Sequence, residues 1–216
     1  MPILSLIRRS LFAAATAVLC LAPAAQAAIV SVSFAAAPVL VPNDIDGVYF
    51  NFLTGEQSTR EPSGYDFNPY NNHGGLTYYG AGGTAGIMST TFPGSLAQAT
   101  PLRRGDLISS AAQFTPYQTQ GNAFNVTGQE YVGVRFYNED TGIDNYAWVL
   151  MSTTANTAPN GGFAAAVLGY GYDDAGLSIL AGQTADGMDL PEPASLAVFG
   201  LGLAALAGVR GRRRQV

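Results

Sequence analysis

The side chains that could do chemistry in this chain are mostly carboxylates, with one histidine, His73, and one cysteine, Cys20. A Ser-His-Asp triad would need His73 as its base, but the sequence has no Gly-x-Ser-x-Gly turn to present the serine. A zinc site needs several His or Cys ligands, so the composition nearly excludes one. Glycoside hydrolysis needs a carboxylate pair, for which the candidates are Glu56, Glu61, Glu130 and Glu139. None of these has a diagnostic setting, so we expect no enzymatic activity.

Calcium is the metal that the remaining oxygen-bearing residues would suit. The segments 43–47 and 138–144 alternate Asn, Asp and Glu side chains near a glycine, and a third cluster is Asp173-Asp174. Hard oxygen ligands favour Ca²⁺, although neither segment completes a twelve-residue loop with a final glutamate. Asx turns and caps are the simpler explanation of the same residues. We expect no cofactor and keep a structural Ca²⁺ as the alternative, with these candidate ligands: Asp44, Asp46, Asp140 and Asp144.

Tyrosines form another group with potential for recognition. Tyrosine rings present a flat apolar face and a polar tip, so exposed ones can stack on sugars. The alternative is that they form small aromatic clusters beneath loops. The tyrosines predicted to be exposed are Tyr65, Tyr70, Tyr78 and Tyr79.

Charge limits the class of partner. Residues 28–190 contain fourteen acids and four arginines, a net charge of −10, and the chain has no lysine. Such a segment repels phosphate backbones, so we expect no nucleic-acid partner.

The elements that must position these residues are β-strands. Val48, Phe50 and Phe52 alternate with other residues, which is typical of a half-buried strand. The same alternation places Val132, Val134 and Phe136 on one face of a second strand. The best local prediction is a hairpin whose strands, 131–137 and 145–151, flank a polar loop. This hairpin would place Trp148 near the domain centre, where its indole N–H would need a hydrogen-bond partner. The other predicted strands are 29–34, 46–53, 164–170 and 177–180. With no helical period in the middle, the prediction is an all-β fold, an antiparallel β-sandwich with long Gly- and Tyr-rich loops within 54–106.

The N-terminal segment has the three parts of a secretory signal peptide. Arg8 and Arg9 precede an apolar run at 12–22, and Ala25-Gln26-Ala27 supplies small residues at the cleavage position. We predict a signal helix that signal peptidase removes after Ala27, with Ala25 and Ala27 as the recognised residues. The run is about 11 residues long, short of the roughly 20 that a spanning helix needs.

The C-terminal segment combines a short motif with a membrane-directed helix. Pro191-Glu192-Pro193 is followed by an uncharged stretch at 194–209. A cluster of arginines then ends the chain: Arg210, Arg212, Arg213 and Arg214. Arginines that come after an apolar run stay in the cytoplasm and stop transfer, so the preceding domain lies outside.

Together, the Pro-Glu-Pro triplet, the short apolar helix and the terminal arginines resemble the PEP-CTERM sorting signal, also called the ice-binding protein C-terminal motif. The resemblance implies recognition by an exosortase, a transpeptidase-like membrane enzyme that would cut near Pro191, Glu192 and Pro193. The middle also resembles the β-rich domain often found upstream of this tail, through Gly133-x-Arg-Phe, Tyr146-Ala-Trp, Tyr172-Asp and the final Ala181-Gly. That domain brings no established activity with it.

These patterns divide the chain into a signal peptide (1–27), an extracytoplasmic β-sandwich (28–185), a linker (186–190) and a sorting signal (191–216). We expect an exported, non-enzymatic cell-envelope or extracellular-matrix protein. It would be anchored transiently in the inner membrane through helix 194–209, then reach the envelope, the outer surface or the medium. One alternative is a carbohydrate-binding module that contacts exopolysaccharide in a biofilm; another is a secreted hydrolase.

Overall fold

The computed structural model describes residues 28–72, 75–81, 83–90, 97–155 and 164–185. Regular structure in these ranges is β-strand apart from a short 3-10 helix at Asn122–Phe124, so the predicted all-β class is confirmed. The predicted helices of the two ends lie outside the described residues. The strands are β1 (Ile29–Ser33), β2 (Val39–Leu40), β3 (Tyr49–Phe50), β4 (Gln57–Ser58), β5 (Phe67–Asn72), β6 (Gly75–Gly80), β7 (Gly86–Thr90), β8 (Gln98–Ala99), β9 (Pro101–Leu102), β10 (Leu107–Ile108), β11 (Phe114–Thr115), β12 (Tyr117–Gln120), β13 (Gly128–Asn138), β14 (Ile143–Thr154), β15 (Ala164–Asp173) and β16 (Ile179–Leu180).

The strands form one curled, mainly antiparallel sheet with two arms. The first arm has the order β1-β15-β14-β13, and the second has the order β12-β6-β5-β3-β4. Strand β7 joins the arms, because its first part pairs with β13 and its last part reaches the second arm through β8. The only parallel pairing among the described strands is the short one between β8 and β12. The arms face each other across one apolar core, in agreement with the predicted sandwich.

Aromatic side chains fill the space between the two arms. Phe52, from the second arm, lies 4.8 Å from Tyr170 and 5.2 Å from Phe136 of the first arm, measured between ring centroids. On its other side Phe52 stacks on Phe67, which in turn stacks on Tyr78. Aromatic rings of this size contribute a large share of the burial energy of a core, about 2 kcal/mol or more each. The predicted inward positions of strands β3 and β13 are confirmed, since all of these residues are buried: Val48, Phe50, Phe52, Val132, Val134 and Phe136.

The predicted hairpin is present, but its loop is shorter than expected. Strands β13 and β14 pair from Gly128 with Thr153 to Asn138 with Ile143, so the turn is confined to 139–142. The Asn138 side-chain oxygen accepts hydrogen bonds from the N–H groups of Asp140 and Thr141. Because this Asx arrangement closes the turn locally, β13 continues one residue beyond its predicted end and β14 begins two residues before its predicted start.

Trp148 lies in a second, smaller cluster rather than in the main core. The segment 179–183 covers the face of β14 on which Trp148 lies. The Trp148 indole N–H donates to the Gln183 carbonyl at 2.9 Å, so Gln183 supplies the expected hydrogen-bond partner. Tyr131 meets the indole edge-on at a centroid distance of 5.6 Å. Gly171 lies directly beside the ring, where an added Cβ would be 2.7 Å from Trp148 Cζ2. The Trp position of the β-domain pattern and the neighbouring Gly171 therefore serve packing.

Outside the hairpin, three predicted strands differ from the structure by two or more residues. Only Tyr49–Phe50 of the segment 46–53 is paired as a strand, and only Ile179–Leu180 of the segment 177–180. Strand β15, by contrast, runs from Ala164 to Asp173 and exceeds the predicted 164–170. Within its described residues, the segment 54–106 contains six strands of two to six residues between its loops.

One carboxylate is buried at the edge of the main core. Asp66 is 3% exposed, and its Oδ2 accepts a hydrogen bond from the Phe52 N–H at 2.7 Å. Burial raises the pKa of Asp66 from its ordinary value to about 7, against the lowering effect of that hydrogen bond, and the nearby Glu139 carboxylate raises it further. The sequence gives no sign of this, because a buried acid and an exposed turn acid look alike.

We predict that substitution Gly171→Ala destabilises the fold by about 2 kcal/mol, because the added methyl group collides with the Trp148 indole. Urea unfolding of the purified variant measures this. Gly128→Ala is the matched control, since nothing lies within 4 Å of the position its Cβ would take. Equal stability of the two variants would contradict the packing role of Gly171.

We also predict that Asp66 makes stability fall as pH rises. The folded chain holds the Asp66 proton up to about pH 7, whereas the unfolded chain releases it near the ordinary pKa of 3.8. The contribution of this difference in pKa to the free energy of unfolding is therefore complete below about pH 4. Between pH 4 and pH 7 it is lost at about 1.4 kcal/mol per pH unit. The variant Asp66→Asn keeps an acceptor for the Phe52 N–H and should lack this slope. Chemical denaturation from pH 4 to 8 tests it, with exposed Asp140→Asn as control; parallel wild-type and Asp66→Asn curves would refute it.

Candidate functional site

The residues predicted for sorting lie outside the described part of the chain. They are Ala25, Ala27, Pro191, Glu192, Pro193, Arg210, Arg212, Arg213 and Arg214, and the same holds for His73 and Cys20. Their proposed roles therefore stay predictions from the sequence. None of the described residues belongs to a helix with the length and apolarity to cross a membrane.

Strand alternation in the second arm places a row of tyrosines on the outer face. Phe50 and Phe67 point into the core, so their neighbours Tyr49 and Asn68 point outward. Tyr79 is paired with Asn68 and shares that outer face, while Tyr78 faces inward. The outward position of these side chains therefore results from the same two-residue alternation along each strand that places Phe50 and Phe67 in the core.

A cleft of about 260 Å³ opens on this outer face. It is lined by Ile45, Tyr49, Glu61, Tyr65, Asn68, Tyr70 and Tyr79. Tyr49 and Tyr65 meet edge to face at a centroid distance of 4.9 Å. At the rim, Tyr79 lies 5.8 Å from the exposed Tyr117. Half-buried rings of this kind are held in position by their neighbours while part of each ring stays open to a ligand.

The structure sorts the tyrosines predicted to be exposed into different roles. Tyr65 and Tyr79 are half-buried and line the cleft, and Tyr70 lines it although most of its surface is covered. The prediction of exposure was wrong for Tyr70, which is buried with 7% of its surface exposed, and for Tyr78, which is fully buried between Phe67 and Phe124. Sequence reasoning missed Tyr49, although its position between the inward Val48 and Phe50 already indicates an outward side chain.

The cleft is electrostatically negative. Burial raises the pKa of Tyr65 to about 12, and the Glu61 carboxylate raises it further. Burial likewise raises the pKa of Tyr49, followed by the effects of Glu61, Asp46 and Asp44. The tyrosine hydroxyls therefore stay protonated at all physiological pH values and can donate hydrogen bonds. Among the described residues that line the cleft there is no arginine to offset these acids.

A second pocket of about 330 Å³ adjoins the first. Glu61 and Tyr65 line both, and the second pocket continues to Asp66, Tyr137 and Glu139. Glu139 comes from the β13–β14 turn, and its Oε1 lies 3.6 Å from the position that a Cβ on Gly64 would take. Two of the four candidate glutamates, Glu61 and Glu139, are thus brought to one pocket.

The other two candidate glutamates lie elsewhere. Glu56 is exposed, and Glu130 is a half-buried residue of β13; neither lines the two pockets. Burial raises the pKa of Glu130, whereas the positive charge of Arg103 lowers it.

Each of the candidate calcium ligands takes part in a hydrogen bond within the chain, Asp46 and Asp140 through their backbone atoms. Asp44 Oδ1 accepts from the Gly47 N–H at 2.8 Å, as in an Asx turn, and the Asp46 carbonyl accepts from the Asn68 side chain. Asp144, in β14, accepts through its Oδ1 from the Thr84 hydroxyl. Within the described ranges, no three His, Cys, Asp or Glu side chains gather to hold a metal ion. Calcium binding by Asp44, Asp46, Asp140 and Asp144 stays a prediction from the sequence.

The third acidic cluster has structural partners too. Asp173 Oδ1 accepts hydrogen bonds from the N–H groups of Ala175 and Leu177, and Asp174 Oδ1 accepts from the Ala28 N–H at 2.8 Å. The Asp174 contact fastens the start of the described chain to the residue that follows β15, and the Asp173 contacts close the turn after that strand.

Comparison with known proteins identifies the C-terminal segment. Residues 189–214 match the family described as the PEP-CTERM protein-sorting motif. No curated protein and no solved structure matches the chain. The match includes the Pro191-Glu192-Pro193 triplet, the apolar stretch and all four terminal arginines, in agreement with the resemblance seen in the sequence. The chain therefore carries a PEP-CTERM protein-sorting motif, which indicates an exported protein that is processed by an exosortase.

Proposed function

We propose that this protein acts without catalysis in the cell envelope or the extracellular matrix. The observation that carries the proposal is the sorting motif at residues 189–214. Signal peptidase removes residues 1–27, helix 194–209 holds the chain in the inner membrane, and an exosortase-like enzyme cuts near Pro191. The β-domain is then passed to the outer surface or to the medium.

The composition of the domain supports this role. Residues 28–190 have a net charge of −10 and no cysteine, so the domain is suited to water and independent of disulfide formation after export. Its core is closed by aromatic contacts between the two arms. A rigid, acidic β-domain presents surfaces for binding, which is the activity that a structural or interaction protein needs.

We predict that the mature protein lacks residues 1–27 and most of the chain after Pro191. Replacement of Pro191, Glu192 and Pro193 by alanine should leave a membrane-bound species that still contains the terminal arginines, because the enzyme no longer recognises its substrate. Intact-mass spectrometry of the protein from its host, with and without the sorting enzyme, measures both ends. Ser195→Ala, in the same tail, is the control. Normal trimming of the triple-alanine variant would refute the assigned cleavage signal.

A second candidate function is carbohydrate binding by the tyrosine cleft. The specific observation in its favour is the grouping of Tyr49, Tyr65, Tyr70 and Tyr79 around one concave surface. Sugars combine an apolar ring face with a rim of hydroxyls, and the cleft offers both ring surfaces and the polar groups of Asn68 and Glu61. Such a module would hold the protein to exopolysaccharide.

We predict that Tyr65→Ala and Tyr79→Ala each weaken glycan binding at least about fivefold, since loss of one stacking ring costs about 1 kcal/mol or more. A glycan array followed by calorimetry on the best ligand gives the measurement. Tyr65→Phe keeps the ring and should bind within about twofold of wild type if stacking dominates. Unchanged binding by both alanine variants would place the glycan site elsewhere.

A secreted hydrolase is the third candidate. It would need Glu61 and Glu139, which line one pocket with the high-pKa Asp66. Release of new reducing ends from a bound glycan, abolished by Glu61→Gln, would favour hydrolysis over binding alone.

A further inference from the structure

The two pockets adjoin, and together they are called the groove. Glu61 and Tyr65 line both of them, so the two pockets meet at these two side chains. The groove begins beside Ile45 and Tyr49 and ends at Tyr137 and Glu139. Two pockets of about 260 and 330 Å³ in sequence suit an extended ligand of several units rather than a single small molecule.

Carboxylates are distributed along this groove rather than gathered at one point. Glu61 lies at the junction, Glu139 lies at the far end, and Asp66 forms part of the second pocket wall. Asp44 and Asp46 add negative charge near Tyr49 at the opposite end. None of the described lining residues is an arginine, so no cation within the groove neutralises these acids.

We propose that the groove selects a glycan chain that carries free amines, such as a polymer of deacetylated amino sugars. This inference rests on the proposed carbohydrate binding and names its substrate class. Repeated ammonium groups would meet the separated carboxylates of Glu61 and Glu139 in charge-assisted hydrogen bonds, while the sugar faces stack on Tyr65 and Tyr79.

The same arrangement disfavours the other common classes of polysaccharide. A polyuronate would place its own carboxylates against those of Glu61 and Glu139, which is repulsive. A neutral glucan gains the stacking but nothing from the charges. A cationic peptide gains the charges but lacks the flat, repeated apolar faces that a row of tyrosine rings recognises. Only an amine-bearing glycan uses both features of the groove.

The test is calorimetric titration of the full chain, purified in mild detergent, with three hexasaccharide probes: β-1,4-linked glucosamine, its fully N-acetylated form and a hexauronate. We expect the glucosamine hexamer to bind at least about tenfold more tightly than the acetylated hexamer, and the hexauronate not to bind. Glu61→Gln and Glu139→Gln should each reduce this preference at least about threefold. Glu56→Gln, an exposed acid outside both pockets, should leave it unchanged.

Each contrary outcome has a distinct meaning. Equal binding of the free-amine and acetylated hexamers would overturn the amine preference and leave carbohydrate binding standing. Failure of all three hexamers to bind, with Tyr65→Ala equally inert, would overturn both. Hexalysine that binds as tightly as the glucosamine hexamer would overturn the inference by showing that charge alone is recognised.

Discussion

The packing of Phe52 against Phe136 and Tyr170 is the contact on which the rest of the structure depends. These three rings come from opposite arms of the curled sheet, so their association is what brings the arms face to face. The backbone N–H of Phe52 is bound by the buried Asp66 carboxylate, which fixes the residue before β5 against the chain that leaves β3. A polar group is costly at this depth unless it is paired, and here the pairing positions the chain at the edge of the core.

That same contact determines the shape of the outer surface. Because Phe50 and Phe67 must point inward, the residues beside them on β3 and β5 must point outward, and Tyr49 and Asn68 line the cleft on the outer face of the second arm. Asp66 also forms part of a wall of the groove. The core and the groove are thus formed by alternate residues of the same strands. A substitution that displaces those strands at the core would displace the groove as well.

Strand periodicity carried most of what the sequence could predict, since the hairpin and the all-β class result from local alternation and both are found in the structure. Tyr78 could not be assigned in this way, because its burial depends on the pairing of β6 with β5, a tertiary contact. Glu61 and Glu139 are 78 positions apart, so only closure of the sandwich makes them neighbours of one pocket. Asp66 gives no local signal of its burial, because its environment is created by Phe52 and Glu139. The sorting motif is the opposite case: its information lies in a contiguous run, so the sequence alone suffices to identify it.

The tail and the β-domain depend on different arrangements of polar and apolar residues. In the tail the arrangement runs along the chain, since an apolar stretch that ends in arginines sets which side of the membrane the domain occupies. In the domain the arrangement runs across the sheet. Alternate residues face either the aromatic core or an acidic, tyrosine-lined surface. A tail that is cut away cannot contribute to the mature activity, so whatever the protein recognises after export must be recognised by the surface that Phe52 and its partners hold in place.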